Sequence, residues 1–303
     1  MAELRALGAT RSDLRGRLFR VPHRGVRTWA ALQDPGPGLR ILEAAVLLPT
    51  AGAVAGWAAA YLLGADEFDG LDFTRHGLRQ LPVELHLPKP VKIRHRAGVR
   101  VIRGTMPAED QVRVDGIPVT NGLRTAFDLA RRSTPTDAVV ALDVLAHRGI
   151  VDLGELSVMV RARSRWPGVA KARRALLLAH PGAESPGETR VRLAARAAGL
   201  PRLLVQPNVT DRAGRFVARP DLLDEAAGLV FEYDGAGHRE PRQQDRDRRR
   251  RHRLESVGLV VREIVAADMG PGLGAWLVSQ HEQALALPRP RLWVATPHAV
   301  DPR

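Results

Sequence analysis

FVARPDLLDEAAGLVFEYDGAGHREPRQQDRDRRRRHRLESVGLVVREIV, residues 216–265, sets two apolar runs of strand length on either side of one strongly basic segment of helix length. Leu229–Asp234 follows the acidic turn 224–228 and reads as a strand. Gln243–Val257 reads as a helix carrying Arg246, Arg248, Arg249, Arg250, Arg251 and Arg253, and Gly258 ends it. Leu259–Val265 is a second apolar strand. Strand, helix and strand at this spacing predict a parallel crossover, which puts the loop 235–238, with His238, at the edge where α/β folds bind ligands.

Side chains alternate along a strand, so Glu232 and Asp234 share one face. An antiparallel turn centred near residues 226–227 sets Asp221 opposite Glu232. Three carboxylates on one face are suited to Mg²⁺ or Mn²⁺, and such an ion activates water and stabilises charge on a phosphodiester. The plainer reading is an acidic hairpin edge paired with nearby arginines such as Arg215 and Arg219. The metal is preferred because charges on so apolar a strand are costly to bury without a cation.

Upstream, Ser185-Pro186-Gly187-Glu188 is a capping box with proline at the first helical position, opening an amphipathic helix that ends at Gly199. Leu203–Thr210, a turn at 211–214 and Phe216–Leu223 predict a hairpin. The stretch from His180 to Gly187 is rich in proline and glycine and marks a domain boundary, with a helix capped by Thr or Ser running up to about His180.

The middle third is read as scaffold. Ala44 to Leu63 is alanine-rich, broken by Pro49, Gly52 and Gly56, and predicts two buried helices rather than a membrane span. Short strands are expected at 85–87, 91–93 and 99–102, a turn, strand and helix start over 115–121, and helices at Leu123–Arg132 and Thr136–Arg148. At the amino terminus, helix patterns at Glu3–Leu7 and Arg11–Leu18 precede a basic extended segment from Phe19 to Trp29. This pattern predicts a small winged helix-turn-helix with its wing. Seven arginines against two acids in residues 1–30 suit phosphate contacts, with Arg11, Arg15 and Arg24 as candidates; a solvated helical hairpin is the plainer alternative.

The formal net charge of +13 comes almost wholly from arginine, since Lys89, Lys92 and Lys171 are the only lysines. Nucleic acid is the first partner to consider, although biased Arg, Ala, Gly and Pro usage alone raises the charge as well. The chain has no cysteine, which excludes disulfides, thiolate catalysis and Cys-based zinc sites. With no secretory segment in view, a cytoplasmic protein with no membrane partner is expected.

The motifs R-P-D (219–221), F-E-Y-D-G-A-G-H (231–238), D-R-D-R-R-R (245–250), L-x-x-x-G (254–258) and V-V-R-E (260–263) resemble actinobacterial proteins with a domain similar to the very-short-patch-repair endonuclease, within the PD-(D/E)xK nucleases. S-P-G-E-T-R-V-R (185–192) and G-L-P (199–201) resemble that group too. I-P-V-T-N-G-L-R-T-A-F-D-L-A (117–130) and V-A-L-D (140–143) resemble the AbiEi-type antitoxin region commonly placed ahead of it. The resemblance implies a restriction-endonuclease-like α/β fold at 181–290, a mixed sheet flanked by helices. Ahead of it come a partial winged helix-turn-helix (1–35) and an α+β middle domain (36–180), with a tail at 291–303 behind.

The resemblance also implies roles. Asp221 matches the central metal-binding aspartate, Glu232 and Asp234 the acidic pair of the next strand, and His238 a general base or water-steering histidine. Glu188 holds the first-helix position from which a carboxylate enters such sites, and Asp245 and Asp247 match the acidic start of the arginine helix. Two features depart from the pattern. Asp234 stands where many of these nucleases have lysine, as in short-patch-repair relatives that rely on histidine, and the usual first helix of the winged module is missing.

Each site residue also has a plainer reading. Glu188 is a capping carboxylate, His238 an exposed loop histidine, and the arginine run 246–253, with Arg246, Arg248 and Arg249, a solvated helix face offset by Asp245, Asp247 and Glu255. Two functions compete. One is a metal-dependent DNA endonuclease acting in repair or phage defence. The other is an antitoxin-like regulator that binds operator DNA, has a cognate toxin as partner and carries an inactive nuclease-like domain.

Overall fold

The computed structural model describes residues 8, 10, 12–13, 16–32, 36–74, 77–235 and 241–297, with the backbone alone at 73, 74, 77 and 241–247. In chain order the elements are β1 (Phe19–Arg20), β2 (Thr28–Trp29), α1 (Pro37–Ala45), β3 (Ala53–Ala55), α2 (Gly56–Leu62), β4 (Leu71–Thr74), β5 (Gly77–Gln80), β6 (Val83–Leu87), β7 (Val99–Arg103), β8 (Gln111–Val114), β9 (Ile117–Thr120), α3 (Gly122–Arg132), α4 (Pro135–His147), α5 (Leu153–Ala162), α6 (Val169–Leu178), α7 (Pro186–Ala197), β10 (Leu204–Val205), β11 (Asn208–Asp211), β12 (Phe216–Ala218), β13 (Leu222–Asp224), β14 (Leu229–Asp234), α8 (Pro241–Ser256), β15 (Val260–Val265), α9 (Leu273–Ala286) and β16 (Trp293–Thr296). This mixed α/β chain divides into two compact units, Met1–Leu129 with Ile150–Ala162, and Ala130–Gly149 with Arg163–Arg303.

The first unit is built on a five-stranded sheet in the order β7-β6-β3-β9-β8. Its central strand is a correction to the sequence reading, which expects only helices between Ala44 and Leu63. Ala53, Val54 and Ala55 are fully buried between β6 and β9, so burial at the middle of a sheet overrides the helix propensity of alanine. Gly56 then turns the chain straight into α2 with φ +62, and a Cβ there would stand 2.6 Å from Glu84 Oε2. Ile41 and Ala44 of α1, Trp57 and Ala58 of α2, and Val54, Val83, Leu85 and Val99 of the sheet form one apolar core. Full burial of each larger side chain contributes about 1.5–3 kcal/mol. The strand expected at 91–93 does not form.

At the far end of this sheet Arg124 is fully buried and donates to Asp110 Oδ2 (2.6 Å), Asp128 Oδ2 (2.9 Å) and His86 Nδ1 (3.2 Å). A guanidinium only donates, so the imidazole nitrogen accepts. Asn121 Oδ1 caps α3 by accepting from Arg124 N at 2.8 Å, as the turn, strand and helix start expected at 115–121 require. The basic segment from Phe19 to Trp29 is an antiparallel ribbon with Phe19 opposite Trp29. Thr28 Oγ1 (2.6 Å) and Arg20 Nη2 (2.5 Å) fasten it to Glu43 of α1. Of the helices expected ahead of it, Glu3–Leu7 lies outside the described residues. Ser12 and Asp13 are helical, and the chain turns at 17–18.

In the second unit a four-stranded sheet runs β10-β13-β14-β15, antiparallel until β14 meets β15 in parallel. Period-two alternation splits its side chains between two cores. Leu222, Leu229, Phe231 and Ile264 pack with Val191 and Ala195 of α7 and Leu273 and Leu277 of α9. Leu223, Val230 and Val261 pack with Leu254 and Val257 beside Trp293. The sheet is therefore covered on both faces, and β14, α8 and β15 form the parallel crossover predicted from their spacing.

The hairpin predicted over 203–223 is split into two levels. β10 pairs with β13, while β11 and β12 leave that sheet and join β16 in a separate one of order β12-β11-β16. Pro207 and Pro220 stand at the two breaks, where neither can donate to a ladder. β16 lies within the stretch expected as a tail. The helices α4 and α6, expected to belong to the middle domain, stand in the second unit. There the fully buried Asp143 of α4 accepts from His180 N (2.7 Å), Thr189 Oγ1 (2.8 Å) and Arg192 Nη2 (2.6 Å). Instead of Thr or Ser, Gly168 starts α6 with φ +81, where a Cβ would stand 2.4 Å from Arg131 O.

Candidate functional site

β13 and β14 pair as Leu222↔Phe231, Leu223↔Val230 and Asp224↔Leu229, a register that sets Asp221 across from Glu232. Tyr233 N donates to Asp221 Oδ2 at 2.9 Å and closes the end of the ladder. Asp224 caps the turn between the strands instead, accepting from Ala226 N and Ala227 N.

The first helix of this unit's terminal part brings a second carboxylate to Asp221. Ser185 Oγ caps α7 by accepting from Glu188 N at 3.2 Å, and Glu188 Oε2 accepts from Glu184 N at 3.0 Å. The capping box is thus shifted by one residue from the expected return to Ser185 N. Glu188 is only 5% exposed. Gln206, in the left-handed region at φ +46, joins the two acids. Its N donates to Asp221 O (2.9 Å), and its Nε2 lies 3.1 Å from Glu188 Oε2 and 3.3 Å from Asp221 Oδ1. A non-glycine residue held at positive φ is costly, and such strain gathers at functional sites.

Burial, then the negative charge of Asp221, pushes the Glu188 carboxyl up to about 7. Burial also raises Asp221, against the hydrogen bond from Tyr233 N and the positive charge of Arg250. This paired environment holds Glu188 poised between its two protonation states near neutrality.

Glu232 is paired with an arginine of α8, in keeping with the plainer reading of an arginine-paired acidic edge. Arg250 Nη2 makes an ion pair with Glu232 Oε2, the side chains being 35% and 12% exposed. Arg215 pairs with Asp211 at 2.7 Å, and Arg219 makes one ion pair with Glu184 at 3.2 Å. Asp234 ends β14 half-buried. Among the described residues no three His, Asp or Glu side chains form a group able to hold a metal ion. As arranged, the acids do not fit a divalent cation, because Asp221 is bound to Gln206 and Tyr233 N and Glu232 to a guanidinium.

His238, Arg11 and Arg15 lie outside the described residues. Arg246, Asp245 and Asp247 are described only as backbone of α8. Arg248 and Arg249 are exposed on that helix, and Arg24 is exposed in the loop of the β1/β2 ribbon. Sequence reasoning missed two residues, Gln206 and Arg250. Arg250 carries a legible signal, because it precedes the buried Leu254 and Val257 by four and seven residues and so belongs to the inner face of α8. The strained backbone of Gln206 has no such signal.

Residues 50–179 match the family model of the AbiEi antitoxin C-terminal domain. That AbiEi-like segment runs from just before β3 to just after α6 and contains the buried cluster of Arg124, His86, Asp110 and Asp128. No curated protein and no solved structure matches the chain. Among the described residues no helix is long and apolar enough to cross a membrane.

Proposed function

We propose that this chain is a DNA-binding regulator of the antitoxin kind, with a cognate toxin as its protein partner and a terminal unit that serves as scaffold. The observation that carries the reading is the AbiEi-like segment at 50–179. The net charge of +13 supports it, as do Arg24 on the ribbon and Arg248 and Arg249 on α8, exposed side chains suited to phosphate oxygens. Binding of this kind releases counterions and weakens steeply with salt.

A second reading, a nuclease, is favoured by one observation. The sheet order β10-β13-β14-β15 with its β14–α8–β15 crossover sets Asp221 opposite Glu232, two acids to which the resemblance to very-short-patch-repair endonucleases assigns metal binding. Mobility shifts on the DNA upstream of the protein's own gene, and plasmid nicking with Mg²⁺, Mn²⁺ or EDTA, separate the two. Retarded, salt-sensitive complexes without cleavage are expected. Metal-dependent nicking that disappears in Asp221→Ala would establish the nuclease instead.

A further inference from the structure

The arginines of α8 do not all face the same way. Arg248, Arg249, Arg251 and Arg253 are exposed, whereas Leu254 and Val257 are buried against the sheet. Arg250 lies one turn ahead of Leu254 on the same face, which directs it to the side of β14 that carries Val230 and Glu232. There it pairs with Glu232, and its Nη1 reaches the carbonyl oxygen of Arg219, two residues before Asp221, at 3.5 Å. Continuing the β13/β14 register by one residue sets position 221 across from Glu232. One guanidinium therefore pairs with Glu232 and lies close enough for its charge to act on Asp221, the two carboxylates that the nuclease pattern assigns to a divalent ion.

We propose that the Arg250 guanidinium is the resident cation of this site: it neutralises Glu232, shields Asp221 and keeps divalent metal out. A guanidinium seated on Glu232 competes with a metal ion for that carboxylate, because it already neutralises the charge and repels a second cation. The acidic edge is thereby kept folded without metal. This inference rests on the regulator reading and deepens it.

The test is thermal unfolding and titration calorimetry of the full-length chain with millimolar Mn²⁺, in the wild type, Arg250→Met, Arg250→Lys and Arg250→Met/Asp221→Asn. The wild type should neither bind Mn²⁺ nor shift its Tm. Arg250→Met should melt lower and recover by about 5 °C in Mn²⁺, and the double variant should lose that recovery. Arg250→Lys, which keeps a cation in place, should ignore Mn²⁺. Mn²⁺ binding by the wild type that is lost in Asp221→Asn overturns the proposal, and so does an Arg250→Met protein that gains no Mn²⁺ affinity. If Arg250→Met does not fold, the wild-type titration and Arg250→Lys decide, with Mn²⁺ binding by either one counting against it. DNA binding by the wild type in EDTA is scored separately. Its absence would count against the regulator reading and leave the Mn²⁺ result standing.

Discussion

Replacing Glu188 by Gln should make the stability of this protein less dependent on pH, in a direction the site dictates. The Glu188 carboxyl is raised from its ordinary 4.5 to about 7 by burial and by Asp221. A raised acid favours the protonated folded state, so its contribution is fully present below pH 4.5 and is lost as pH climbs through 7. The gap of about 2.5 units corresponds to roughly 3 kcal/mol, most of which develops between pH 5 and pH 8. Glu188 is 5% exposed, so solvent screening takes little from that figure. Glutamine is nearly isosteric, and its carbonyl oxygen can still accept from Glu184 N and Gln206 Nε2, which both reach the same carboxylate oxygen. Urea unfolding followed by circular dichroism in metal-free buffer should therefore find Glu188→Gln close to wild type at pH 5 and more stable by about 2 kcal/mol at pH 8. A stability difference that is the same at both pH values would refute the raised carboxyl.

Three further outcomes follow from particular contacts. Asp143→Ala strips the acceptor from His180 N, Thr189 Oγ1 and Arg192 and should cost about 3–5 kcal/mol in urea unfolding; a loss under about 1 kcal/mol would mean that the buried network contributes little. Gly187→Ala puts a Cβ 2.0 Å from the ring of Tyr233, so it should cost about 1–3 kcal/mol alone and much less in a Tyr233→Ala background. Equal costs in both backgrounds would show that the ring is not the obstacle. Arg24→Ala and Arg248→Ala/Arg249→Ala should each weaken DNA binding on all sequences alike and lower the slope of log affinity against log salt by about 1 for every phosphate no longer neutralised; an unchanged slope would remove those side chains from the interface.

Local pattern accounts for much of the terminal unit and for little of what surrounds its acids. The apolar runs at 229–234 and 260–265 and the helix between them were legible because burial on both faces leaves a plain signature of strand, helix and strand. The facing of Asp221 and Glu232 followed from counting back across a turn, since register in a hairpin is fixed by the position of its loop. The matched AbiEi-like segment likewise contains the motifs at 117–130 and 140–143 that resemble it. Other parts depended on partners distant in the chain. Ala53–Ala55 is a strand only because β6 and β9 close on both of its sides, and residues 293–296 are a strand only because β11 offers its edge.

Residue order therefore dictated the succession of elements around 216–265, the facing of Asp221 and Glu232 across a turn, and a basic surface suited to nucleic acid. Which charge meets which was decided by the packing of distant segments. Arg250 of α8 answers Glu232, Gln206 bridges Glu188 and Asp221, and Asp143 joins α4 to α7 across a boundary expected at 180. An ion pair or a shared hydrogen bond depends on distances of a few ångströms between residues far apart in the chain, which periodicity and composition do not encode. Secondary structure answers to neighbours two, three or four residues away, and those can be read directly from the order of residues.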